Sequence, residues 1–167
     1  LILLIFLCIG CGKKEEESIK EETPPVIEEP KEISIVDVNS NTRPYAIVIN
    51  NSTVAVKVQT GLQQAYIVYE FPVEGGLTRL IALYKDVPDF TIGTIKSSRH
   101  NFLDYAMEHD AIFIHYGWSH YAEDDERNIK YDYINGTLGG GPFWRENPES
   151  LATEHTAYTS IGKINDY

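Results

Sequence analysis

The chain has 167 residues and a formal charge of −11, from 14 Lys and Arg against 25 Asp and Glu. That balance excludes the basic footprint of non-specific nucleic-acid binding and a polybasic lipid-binding face. A hydrophobic content of 43% with 11 Tyr excludes global disorder, and the length fits one ordinary domain with additions.

The first ten residues, Leu1 to Gly10, carry no charge and are too few to cross a bilayer, which takes about 20 apolar residues. They fit the apolar stretch of a signal peptide. Leu7-Cys8-Ile9-Gly10-Cys11-Gly12 resembles a bacterial lipobox, with the small Gly10 before the cysteine to be acylated and Cys8 where Leu is usual. Residues 1–11 are therefore expected to be a lipoprotein signal peptide, with Cys11 the lipidation site and the membrane a partner through that lipid. Both cysteines lie here, which leaves the rest without a disulfide framework, thiolate metal site or cysteine nucleophile. Residues 12–32 read as a disordered acidic tether. From Lys13 to Glu32 there are eight Glu, four Lys, three Pro and no aromatic residue, too little apolar surface to offset chain entropy. Residues 33–167 are the folded part, with ten Lys and Arg against seventeen Asp and Glu. The chain starts without Met and ends without an obvious stop, so it is expected to be a fragment, truncated at the C-terminus.

Tyr45 to Ile49 predicts a strand buried on both faces, ended by the turn residues Asn50-Asn51-Ser52. Thr60 to Ala65 predicts a turn and short helix, Tyr66 to Glu70 a second strand, and Glu74-Gly75-Gly76 a turn. Leu77 to Lys85 predicts a third strand with Leu77, Arg79, Ile81 and Leu83 on one face. Thr91 to Lys96 is a candidate fourth. Ser97 or Ser98 is expected to cap a helix to about Glu108, striped by Phe102, Leu103, Ala106 and Met107. Ala111 to Tyr116 predicts another strand, so strand, helix and strand suggest a right-handed βαβ unit. Beyond Gly117 the signal weakens. Asn135-Gly136 reads as a hairpin turn, and Gly139-Gly140-Gly141-Pro142 breaks the chain. The fold class is mixed α/β.

The informative feature is charge in or beside apolar strands: Glu70 closes one, Arg79 sits inside another, His115 interrupts the end of a third, and Arg99 opens a helix directly after a strand; each is expected to be paired or to line a site. Ser97-Ser98-Arg99 at a helix start would hold a phosphate or carboxylate; the plainer alternative is a helix cap with Arg99 paired to an acid such as Glu74. Glu70 and Glu74 are candidates for acid–base work or for ion pairing with Arg79 and Arg99. The histidines lack metal-ligand spacing, and no G-x-S-x-G, P-loop or dinucleotide fingerprint occurs, so no metal or cofactor is expected.

Arg43 to Asn51, Gln59-Thr60-Gly61-Leu62, Tyr69-Glu70, Val73 to Arg79 and Ile92 to Arg99 resemble, in order, motifs of the YerB-like bacterial lipoprotein family, a domain of unknown function. His115-Tyr116-Gly117-Trp118-Ser119, Phe143-Trp144-Arg145, His155 and Tyr158-Thr159-Ser160 continue the resemblance, with departures at Lys96, Ser98 and Thr156. The resemblance implies a three-layer, sandwich-like arrangement of mixed sheets with flanking helices, and a further C-terminal domain absent from this chain. It supplies no reaction.

The combined expectation is a lipid-anchored extracytoplasmic binding module of the cell envelope, holding an anionic ligand or a partner protein. Arg79, Ser97, Ser98, Arg99, Glu70, Glu74 and His115 are the candidate ligand-binding residues, with Tyr116 and Trp118 as walls. The alternatives are an envelope enzyme on a wall polymer or lipid-linked precursor, with Glu70 or Glu74 as base, and a structural or assembly lipoprotein without a small ligand.

Overall fold

Strand β1 (Tyr45–Asn50) is the axis of the domain. Its side chains past Tyr45 are all buried, because both faces of its sheet are covered. The computed structural model describes residues 35–167; the signal peptide with Cys11 and the tether lie outside the described residues. β1 pairs antiparallel with β3 (Thr78–Tyr84), and β3 with β2 (Ile67–Pro72). On its other side β1 runs parallel to β5 (Ile112–His115), which runs parallel to β6 (Tyr133–Asn135). The sheet order is β2-β3-β1-β5-β6. A second, antiparallel sheet, β4-β8-β7, is built from β4 (Thr91–Gly93), β7 (Trp144–Arg145) and β8 (Ala157–Ser160).

The two-residue strand period sorts the core onto two sides of the larger sheet. Ala46, Val48, Ile81, Leu83 and Phe113 pack with Phe102, Leu103 and Ala106 of helix α1 (Phe102–Glu108). Ile47, Ile49, Leu80, Ala82, Tyr84 and Ile114 pack with Ile92, Ile95 and Ala157 of the second-sheet side and with Ile161 and Ile164 of α3 (Ile161–Asn165). The result is helix, sheet, sheet: three layers of mixed α/β structure, as expected. Edge strand β2 shows the half-buried version of the same rule. Val68, Glu70 and Pro72 face solvent, while Tyr69 and Phe71 stack among Phe102 and Tyr105.

Several local expectations are corrected. Helix α1 starts at Phe102, four residues beyond Ser98, and Asn101 stands before it without a side-chain cap. Met107 is exposed rather than part of the stripe. β3 starts at Thr78, and Leu77 is exposed. β4 and β5 belong to different sheets, so the strands flanking α1 form no βαβ unit. Asn135-Gly136 makes no hairpin. Its Asn135 Oδ1 instead accepts from Gly117 N, Thr137 N and Thr137 Oγ1, tying two loops together. Helix α2 (His120–Asn128) had no apolar signature because only Ala122 and Glu126 of it are buried. Ser119 caps it, its Oγ accepting from Ala122 N at 3.3 Å. No helix among the described residues is long and apolar enough to cross a membrane.

Glu126 joins α2 to the sheet. Its carboxylate lies 2.9 Å from His115 Nε2, and both side chains have no exposed surface. Neither Nε2 nor either Glu126 oxygen has another partner among the described residues, so these atoms answer only each other. His115 Nδ1 donates to Gly117 O at 2.7 Å, because a carbonyl only accepts. Breaking the pair of His115 and Glu126 strands a buried polar group. Glu126→Ala is expected to lower unfolding stability by about 3–5 kcal/mol, and the Glu126→Leu, His115→Phe double variant to recover part of it. Denaturant midpoints check this; a loss below about 1 kcal/mol in Glu126→Ala would contradict a structural pair.

Candidate functional site

The site begins where two parallel strands part. Their register runs to Ile47 opposite Ile114. Beyond that, the segment from Thr94 to Ser98 enters between the strand ends. Asn50 N donates to Thr94 O, Lys96 N to Val48 O, and Tyr116 N to Lys96 O. An isolated bridge pairs Ile49 with Ile95, and another pairs Ser98 with Trp118. Gly117 has φ 88°, and a side chain there would meet Ser97 Oγ at 2.9 Å, so glycine lets the two loops touch. Crevices past the carboxyl ends of parallel strands are where open α/β sheets bind ligands. Here the inserted segment leaves a cavity on each side.

The first cavity, about 280 Å³, lies over the end of β1 and the start of β3. Its walls include Asn50, Ser52, Glu74, Arg79, Lys96, Glu154 and His155. Arg79, opposite Asn50 and Phe71 in register, is half-buried, and its Nη1 donates to Ser97 O at 2.5 Å. Among the described residues no carboxylate comes within 4.0 Å of it. Burial, and then the charge of Arg99, push its pKa down to about 10, while Glu74 and Glu154 pull the other way across the cleft. Arg99, by contrast, is neutralised. Its Nε donates to Glu74 Oε1 at 2.7 Å, its Nη2 to Glu74 Oε2 at 2.5 Å, and its Nη1 to Ser98 O at 2.7 Å. Lys96 pairs with Glu154 at 2.6 Å. Asn50 Oδ1 accepts from Ser52 N, which turns its Nδ2 to donate to His155 Nδ1 at 2.8 Å. His155 then carries its proton on Nε2, 3.5 Å from Glu154.

The second cavity, about 260 Å³, is lined by Lys96, Ser97, Tyr116, Trp118, Thr137, Arg145 and Glu154, among others. Arg145 lies over the Tyr116 ring at 4.6 Å, a cation–π contact. Gly136 covers Tyr116 so closely that a Cβ there would sit 2.2 Å from the ring. Arg127 lies over Trp118 at 5.4 Å. These aromatics are supports for guanidinium groups rather than open stacking walls.

The expected site residues therefore divide. Arg79, Glu74, Ser97, Tyr116 and Trp118 line the cavities. Arg99 is locked to Glu74, which was the plainer alternative. Ser98 is buried, its N–H donating to Gly117 O; with α1 starting later, Ser97 to Arg99 is no helix N-terminus. Glu70 sits outside both cavities, accepting from Asn51 Nδ2 and Thr78 Oγ1. His115 lines neither cavity and is held by Glu126. Sequence reasoning missed Asn50, Lys96, Arg145, Glu154 and His155 as site residues. A cue existed for some of them: His155 and Arg145 sit in motifs of the family resemblance. Lys96 pairs across 58 positions, and nothing local marks that.

Chemically, the cleft sets cationic and polar groups beside two acids that are already paired. The Arg99 hydrogen bonds, reinforced by backbone hydrogen bonding, hold the Glu74 carboxyl at about 2, far below its usual 4.5, and so weak a base takes up a proton poorly at neutral pH. The His155 Nδ1 lone pair is taken by Asn50 Nδ2, so that nitrogen is not free to serve Ser52 as a base. Among the described residues no group of three or more His, Cys, Asp and Glu is arranged to hold a metal ion. A depressed carboxylate pKa gives stability that is present above about pH 4.5 and is lost as pH falls towards 2; exposure of Glu74 keeps that contribution small. Carboxyl-carbon NMR is expected to show Glu74 titrating near 2 and, in Arg99→Ala, shifting up towards the ordinary glutamate range. Titration near 4.5 in the unaltered chain would contradict the chelate.

Comparison with known proteins places these features in a family. The Bacillus subtilis (strain 168) protein named "Putative lipoprotein YerB" is 32% identical over 167 residues, covering 98% of this chain and 48% of its own length. The crystal structure of YerB protein from Bacillus subtilis matches with a TM-score of 0.67 at 36% identity, over 74% of this chain and 42% of that one. The chain thus spans about half the length of the relative it matches. Residues 33–167 match the family described as protein of unknown function (DUF3048), N-terminal domain, and the chain belongs to that family.

Proposed function

We propose that the chain is a lipid-anchored, extracytoplasmic binding module that holds an anionic ligand in the cleft at Arg79. The observation that carries this is a half-buried guanidinium lining a cavity, with no carboxylate within 4.0 Å among the described residues. Removing a charge from water is costly unless it is paired, and a phosphate or carboxylate entering the cavity would supply the pair. The rest of the cleft suits the same ligand. Glu74 and Glu154, the acids lining it, are each taken up by another cation, Arg99 and Lys96. Asn50 and His155 present further polar groups along the wall. An anion-holding cleft stands out in a domain with an excess of seven acidic residues.

The anchor rests on Cys11 in its lipobox-like setting and on the lipoprotein name of the Bacillus relative. Binding is favoured over turnover because Glu70 lies outside the cavities and Glu74 is held deprotonated by Arg99. Thermal melts with inorganic phosphate, sulfate and acetate test the reading. Ligand at a hundredfold its Kd adds about 2.7 kcal/mol, a rise of several degrees for a domain of this size. The rise is expected with at least one of these anions and lost in Arg79→Met. An equal rise in Arg79→Met, or none with any anion in the unaltered chain, would overturn the proposal.

A further inference from the structure

We infer that the second cavity is an anion subsite continuous with the first, so that the cleft holds a flexible chain bearing repeated negative groups, one seated on Arg79 and the next on Arg145. The inference rests on the reading of Arg79 as anchor. The two cavities are neighbours, sharing Lys96 and Glu154 in their linings. Those two residues are paired at 2.6 Å, so the ridge between the cavities is an ion pair that offsets its own charge. On each side of it stands one guanidinium with no carboxylate within 4.0 Å among the described residues.

Arg145 is fixed like a binding group. Its Nη1 donates to Thr153 O and Thr156 Oγ1, and its Cζ lies over the Tyr116 ring, which Gly136 crowds from close by. Its Nε and Nη2 have no acceptor among the described residues, and neither do those of Arg79. Each group thus keeps a free side of its fork, the shape that takes two oxygens of a phosphate or carboxylate at once. The chemistry argues against a neutral sugar chain, which would need open aromatic faces. Tyr116 is covered by Arg145 and Gly136, and Trp118 carries Arg127. A ligand with one negative group would satisfy one arginine and leave the other open. A chain with anionic groups at successive units satisfies both, its neutral link crossing the Lys96–Glu154 ridge.

Calorimetry on the full chain tests this with a single phosphodiester, glycerophosphoglycerol, and its hexamer. A parallel arm with a single blocked glutamate and hexaglutamate separates phosphate from carboxylate preference. Two linked contacts act through effective concentration, so one hexamer is expected to bind about tenfold or more tighter than its monomer. Compared per anionic group, which removes the statistical gain of several equivalent units, Arg145→Ala and Arg145→Gln should bring that hexamer close to monomer affinity and leave the monomer within about twofold. A hexamer no tighter than its monomer in both series, or a length preference that survives both Arg145 variants, would overturn the second subsite and leave the Arg79 site standing. Failure of every monomer and hexamer to bind the unaltered chain would overturn the anchor reading and this inference together.

Discussion

The cleft depends on one backbone constraint: the chain from Thr94 to Ser98 runs between the ends of β1 and β5. Those parallel strands would otherwise continue their pairing. The inserted segment takes up their free hydrogen-bonding groups instead, Val48 O accepting from Lys96 N and Lys96 O from Tyr116 N. Buried backbone groups must be paired somewhere, so the insertion is held at both edges. It anchors further through Ile95, which is buried in the core between the sheets and whose N–H donates to Ala157 O. Everything proposed for the surface follows from this placement. Lys96 and Ser97 lie on the divide, Ser97 O receives Arg79, and Gly117 folds close enough to meet Ser97.

On that scaffold, charge is distributed by competition for a small number of acids. Glu74 is consumed by Arg99 through two hydrogen bonds, and Glu154 by Lys96. Of the two arginines beside Glu74, the one left without an acid is Arg79, whose burial lowers its pKa. Moving either acid to Arg79 would strand another cation, so the arrangement holds an unneutralised guanidinium without a rearranged fold. The buried pair of His115 and Glu126 has the contrasting character. It is closed, has no exposed surface, and ties α2 to the sheet rather than presenting charge to a ligand.

The sequence made the interior legible and the site only in part. The apolar runs at Tyr45 to Ile49, Tyr66 to Glu70, Leu77 to Lys85 and Ala111 to Tyr116 each correspond to a strand of the large sheet, because burial on one or both faces is written in residue type. Arg79 stood out as a charge inside such a run, and its pairing alternatives included the Arg99–Glu74 contact that forms. What stayed hidden lacks that contrast. Helix α2 is almost wholly polar, and β8 is Ala-Tyr-Thr-Ser, with buried Thr159 bonding to Pro142 O. His115 was misleading for a physical reason. A histidine ending a buried strand has the same local pattern whether it faces a ligand or an acid from a later helix, and Glu126 lies eleven residues on. The cleft itself is assembled from Asn50, Arg79, Lys96, Arg145 and Glu154, whose proximity is set by sheet order and not by spacing.

Of the two arginines beside Glu74, Arg79 is open and Arg99 is held by the acid. Nitrogen–proton NMR of the arginine side chains during a phosphate titration reads that difference directly. The Arg79 Nε signal is expected to move and saturate while the Arg99 signal, held by Glu74, stays in place. Movement at Arg99 with Arg79 silent, or saturating movement at neither, would contradict it.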